Sequence, residues 1–126
     1  MSGRVVHFEI PADDMERAQE FYRSAFGWDI SAVPGMDYAM VGTTPVDEQS
    51  RPKEAGAING GMFKREGEMT VPTVVIAVED IEKALETVGG LGGKTVVPRT
   101  PVMDMGFSAY FRDPEGNLVG LWENAS

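Results

Sequence analysis

Asp13-Asp14-Met15-Glu16-Arg17-Ala18 and Glu79-Asp80-Ile81-Glu82-Lys83-Ala84 match position for position in charge and polarity, at a constant offset of 66 residues, and each block follows a strand-like run. Each places an aspartate where a helix N-cap belongs and a glutamate in the first turn, facing the positive end of the helix, so each block opens a helix. In the first, Met15, Ala18, Phe21, Tyr22 and Ala25 recur at helical spacing until Gly27 supplies the stop. In the second, Ile81, Ala84, Leu85 and Val88 do the same until Gly89-Gly90.

Outward from these helices, the flanks repeat as well. Val5 to Ile10 reads as a strand ended by Pro11, and Thr73 to Val78 as its counterpart. After the first helix come Trp28 to Val33 and Tyr38 to Val41, a hairpin around Pro34-Gly35. A long polar loop from Gly42 to Glu54 and a glycine-interrupted strand from Ala57 to Phe63 follow. After the second helix come Lys94 to Val97, Phe107 to Phe111 and Leu118 to Trp122, the last two joined by Asp113-Pro114-Glu115-Gly116 in type I turn order. Both halves read β-α-β-β-β, and neither is long enough to bury a core alone. The expected fold is α+β: two βαβββ modules, about residues 4–64 and 70–124 of a single domain over 1–126, forming an open, curved mixed sheet (an incomplete barrel) around a cleft, helices outside.

Bulk composition narrows the function classes. The 126 residues are 42% hydrophobic, enough for one core, and carry a formal charge of -9. That charge repels phosphate backbones and anionic lipid heads, so nucleic acid and membrane are excluded as expected partners. The absence of cysteine removes disulfides, thiolate metal sites and a Cys nucleophile, and fits a reducing compartment. Met1-Ser2-Gly3-Arg4 leads into only a short apolar run, from which no signal peptide or membrane span is drawn, so the cytoplasm is the expected location.

The opening H-F-E-I-P-A-D-D…R-A-x-x-F-Y…F-G-W (His7 to Trp28), the closing F-x-D-P-E-G-N-x-x-G-L-W-E (Phe111 to Glu123) and the internal repeat together resemble the glyoxalase/bleomycin-resistance protein/dioxygenase (vicinal oxygen chelate) superfamily, in its glyoxalase-like branch of unknown substrate. The resemblance runs from Val5 to Glu123 and implies paired modules around a small-molecule cleft, and a homodimer. Enzymes of that family hold a divalent metal with ligands from the first and last strand of each module. His7 occupies the first such position, but its repeat equivalent is Thr73, the place of the usual glutamate is taken by Gly120, and Asn59-Gly60-Gly61 offers no carboxylate. A useful catalytic metal site takes three or more protein ligands. No metal is therefore expected, with His7, Glu9 and Glu123 the weak candidate ligands.

The ligand wall expected in the cleft consists of His7, Glu9, Asn59, Gly61, Thr73, Gly120 and Trp122, because strand alternation puts His7 with Glu9 on one face and Gly120 with Trp122 on another. His7 and Glu9 are the candidate acid and base; a neighbouring carboxylate would keep the imidazole partly charged. Glycines inside strands mark bulges or close approach by a backbone or ligand. The Gly42 to Glu54 loop and the Pro98 to Gly106 segment read as cleft lids. Three functions compete: a metal-independent binding or sequestering protein for a small, partly aromatic ligand; an enzyme of lyase, isomerase or dioxygenase type with an atypical metal site or His7/Glu9 acid-base chemistry; and a scaffold with a vestigial cleft.

Overall fold

Both helix starts form as the repeat predicts. The Asp14 side chain accepts a 3.0 Å hydrogen bond from Arg17 N, and Asp80 accepts one of 3.1 Å from Lys83 N. Each helix thereby satisfies an amide that no earlier turn can reach. The computed structural model describes residues 3–125; Met1 and Ser2, on which the reading of a leaderless start rests, and Ser126 lie outside the described residues. Its elements are β1 (Val5–Ala12), α1 (Met15–Phe26), β2 (Asp29–Ala32), β3 (Tyr38–Gly42), β4 (Asn59–Lys64), β5 (Thr73–Ala77), α2 (Ile81–Gly90), β6 (Lys94–Val102), β7 (Gly106–Arg112) and β8 (Leu118–Asn124). Among the described residues no helix is long and apolar enough to cross a membrane.

The chain divides into two compact units, His7–Pro72 and the remainder. In the first, the strands lie in the order β2-β3-β4-β1, with β1 parallel to β4 and the other pairs antiparallel. One face of this sheet is closed by α1: Ala12, Ile30, Ala39, Val41 and Met62 form its buried core, with Phe8, Met15, Ala18, Tyr22 and Trp28 packed on it. Tyr22 stacks on Trp28 with ring centroids 4.8 Å apart, whereas Phe21, expected on the packed face, stands out to solvent. Gly27 ends α1 in the left-handed conformation (φ 71°), which a side chain rarely adopts.

The second unit repeats the plan in the order β5-β8-β7-β6, with β5 parallel to β8. Gly3 N donates to Ala77 O and Ala77 N to Arg4 O, so the start of the chain is tied to β5. The core on the α2 side is Ile81, Ala109, Phe111 and Leu121. Ile81 is fully buried, which is worth about 1.5–3 kcal/mol. Both units are thus βαβββ with a mixed, open-edged sheet, and the α+β class and the repeat hold.

Several boundaries differ from the sequence reading. β1 runs through Pro11 to Ala12, since the fixed φ of proline suits extended backbone. Helix α2 absorbs Gly89 and Gly90 and stops at Leu91, before Gly92 with φ 99°. The Pro98 to Gly106 segment is no free lid: β6 continues to Val102 and pairs with β7, its register shifting between Thr95 and Val97 and again between Val97 and Thr100. As the outer strand of its sheet, broken by irregularities, β6 can carry Pro98 and Pro101 without losing a ladder donor that a central strand would need. The Asp113 to Gly116 turn forms with Gly116 N donating to Asp113 O, and the Asp113 carboxylate takes the amides of Glu115 and Asn117. Those amide bonds, that of Asn117 first, hold its carboxyl below the usual range.

Candidate functional site

Alternation along β1 sends Phe8, Ile10 and Ala12 toward α1 and leaves His7 and Glu9 on the opposite face of the first sheet. The registers bring specific neighbours to that free face. Asn59 stands opposite His7 and Gly61 opposite Glu9, while β3 contributes Tyr38 and Met40. The ring of Tyr38 lies down over Gly61, occupying the space that a β-carbon there would fill. Its hydroxyl reaches 3.3 Å from His7 Nε2, a hydrogen bond whose direction the imidazole tautomer sets. Glu9, beside them, is only 7% exposed.

The electrostatics differ from those expected of a His-Glu pair. Burial pushes the His7 imidazole below its ordinary value, so it is neutral at physiological pH rather than partly charged. Burial, and then the negative charge of Glu9, push the Tyr38 phenol well above its ordinary value. The pair His7–Tyr38 is therefore neutral at both ends, next to a buried carboxylate. Such a pair can donate to or accept from a ligand oxygen and can pass a proton between ring nitrogen and phenol.

Asn59, expected on the ligand wall, is spent on the loop. Its Oδ1 accepts from Thr43 N at 2.7 Å and Thr44 N at 3.0 Å, and its Nδ2 donates to Thr44 O. The amide thereby anchors the start of the long 43–58 connection. Tyr38 is the site residue that sequence reasoning missed. The signal available was the glycine opposite Glu9, which announces a close neighbour without naming it.

In the second unit, Thr73, Gly120 and Trp122 occupy the sheet face away from α2. Thr73 is buried, and Gly120 lies under the Tyr110 ring, where a β-carbon would come within 3.1 Å of Tyr110 Cε1 and Val75 Cγ2. The Trp122 indole Nε1 donates to Asn124 Oδ1 at 2.7 Å. Glu123 faces the other way. It accepts from Ile81 N at 2.9 Å, at the start of α2, and pairs with Arg99 at 2.9 Å, whose guanidinium also lies 3.5 Å from the centre of the Phe107 ring. The Arg99 hydrogen bond, with that of Ile81, holds its carboxyl below the usual range. Glu123 is thus committed to the α2 cap and is withdrawn as a candidate metal ligand.

The donor set does not fit the divalent metal that the resemblance implies. A hydroxyl stands at Thr73, no side chain at Gly120, and the Asn59 amide is engaged elsewhere. Among the described residues no three of His, Cys, Asp and Glu gather as a metal would require.

Comparison with known proteins follows the same lines. A family model described as bleomycin resistance protein-like N-terminal matches residues 4–44. A protein of Mycobacterium bovis named putative glyoxylase CFP32 is 30% identical over 120 residues, covering 91% of this chain but 43% of its own length, so the chain spans under half of that relative. A glyoxylase-like domain-containing protein of Didymella fabae is 29% identical over 135 residues, covering 96% of this chain and 94% of its own. Among solved structures, a methylmalonyl-CoA epimerase from Streptomyces coelicolor, in complex with 2-nitronate-propionyl-CoA, superposes with a TM-score of 0.68 over 100% of both chains at 14% identity, a likeness of fold.

Proposed function

We propose that this chain, a member of the glyoxalase/bleomycin-resistance/dioxygenase superfamily, is a metal-independent small-molecule binder that holds or sequesters a partly aromatic ligand at the His7–Glu9–Tyr38 face of its first module. The observation that carries the reading is the Tyr38 hydroxyl set 3.3 Å from His7 Nε2, beside a buried carboxylate and on the sheet face that α1 leaves free. Polar groups half-buried away from a packed helix, with soft apolar neighbours such as Met40, are what a ligand-orienting wall requires. Gly61 contributes by admitting Tyr38. In the second module Thr73, Gly120 and Trp122 form the corresponding wall. The reading includes a single domain over 1–126, a cytoplasmic homodimer, and no nucleic-acid or membrane partner, in keeping with the charge of -9.

A second reading is an enzyme of lyase, isomerase or dioxygenase type. The neutral imidazole in contact with a protonated phenol favours it, because that pair could relay a proton to or from a bound carbonyl compound.

Native mass spectrometry of protein purified without chelator tests the proposal. The expected result is chain with a retained small molecule and no stoichiometric transition metal. One equivalent of zinc, nickel, iron or manganese per chain, lost on His7→Ala, overturns it in favour of a metalloenzyme.

A further inference from the structure

We infer that the second module takes the ring of the ligand, in a notch between the Trp122 and Tyr110 side chains with the Ser108 hydroxyl at its base, and that this notch selects a planar aromatic ring bearing a hydrogen-bonding substituent. The inference rests on the binding reading above and names the part of the ligand that its second wall recognises. Alternation along β7 and β8 sends Phe107, Ala109, Phe111, Val119 and Leu121 to the α2 side. Ser108, Tyr110, Gly120 and Trp122 are left on the other face, with Ser108 opposite Trp122 and Tyr110 opposite Gly120.

Two glycines open the notch. The Trp122 indole leans along the sheet to Gly106, where a β-carbon would come within 2.6 Å of its Cζ2, and its bond from Nε1 to Asn124 Oδ1 at 2.7 Å holds it in that direction. The Tyr110 ring leans over Gly120 instead. Ser108 stands between Gly106 and Tyr110 on β7, so the two rings part on either side of it. All three side chains are half-buried, and among the described residues no hydrogen bond engages the Ser108 hydroxyl. Thr100, opposite Ser108 on β6, donates its own hydroxyl to Pro98 O, which leaves Ser108 to meet the guest. Rings of fixed direction favour a flat guest, because one aromatic ring against another gains more than the area it buries, and a saturated ring of the same size does not. A serine hydroxyl both donates and accepts, so it suits a ring with a hydroxyl, amino or carbonyl group at its edge.

The chain has two tryptophans, Trp28 and Trp122, so the indole N–H signal lost in Trp122→Phe is that of Trp122. The full-length protein is titrated with phenol, toluene and cyclohexanol, following by NMR the Trp122 indole and the imidazole signals of His7, the single histidine. Phenol should move the Trp122 signal and bind about two- to tenfold more tightly than cyclohexanol. Ser108→Ala, which removes one half-buried oxygen, should weaken phenol by about two- to tenfold and leave toluene unchanged. Cyclohexanol binding as well as phenol overturns the inference, as does phenol binding unaltered by Ser108→Ala. Phenol that moves only the His7 signals overturns it too, and in each of these cases the binding reading stands. If no probe moves the signals of either residue, the binding reading fails, and the inference with it.

Discussion

The Tyr38 hydroxyl reaches His7 Nε2, 3.3 Å away, only because Gly61 lacks a side chain. Tyr38 and His7 are 31 residues apart in the chain and sit on strands that do not adjoin; β4 runs between them. The phenol ring crosses β4 at its glycine. A backbone choice on one strand therefore decides which partner the histidine of another strand receives. The second module repeats the device more loosely, with the Tyr110 ring over Gly120.

Gly61→Ala should therefore damage the protein far more than Gly120→Ala. A methyl at 61 lands on the Tyr38 hydroxyl and ring, and the ring must leave its seat; overpacking of this kind costs about 1–3 kcal/mol. At Gly120 the nearest atoms are 3.1 Å away, and a shift of a few tenths of an ångström in Tyr110 suffices. Urea denaturation of the two variants measures the difference. Equal losses would show that Tyr38 is not held where the structure places it.

The His7 imidazole should titrate below 6.5, because burial disfavours its charged form. As pH falls through 6.5, the unfolded chain takes up a proton that the folded chain declines, so stability drops over the interval from there down to the folded value. His7→Gln should flatten that slope, since no other histidine titrates in this range. NMR titration of the wild type and denaturation at several pH values check both halves of the expectation. An imidazole titrating above 6.5 would contradict it.

Tyr38→Phe should cost about 1 kcal/mol of stability, the worth of one hydrogen bond to a half-buried ring nitrogen. The same change should shift the His7 titration, and Gly61→Ala should shift it in the same direction by displacing the same hydroxyl. If Gly61→Ala leaves the His7 titration where it was, the two residues are not coupled.

Glu123→Ala should loosen the start of α2, because Ile81 N loses its acceptor; caps of this type are worth about 0.5–2 kcal/mol. The folded carboxyl is held below its ordinary value of 4.5, so this contribution is present above that pH and is lost as pH falls through the lower, folded value. Hydrogen exchange at the Ile81 amide reads the effect, and unaltered protection there in the variant would refute it.

What the sequence determined was local or periodic. The matching blocks 66 residues apart specified two helices, because an aspartate cap acts on an amide only three residues away, and the caps at Asp14 and Asp80 form as written. Alternation told which residues share a strand face, and so put His7 with Glu9 and Gly120 with Trp122. The expectation that Glu9 would charge the histidine failed for the same reason that Tyr38 was missed. Which strand lies beside which, and in what register, is settled by burying Ala39, Val41 and Met62 against α1, and no short window of sequence carries that information. Only the folded sheet set Asn59 opposite His7, turned its amide to the loop, and laid a phenol from β3 across Gly61. Burial is likewise a property of the assembled chain: it keeps the imidazole neutral and the phenol protonated, although nothing next to either in sequence requires it.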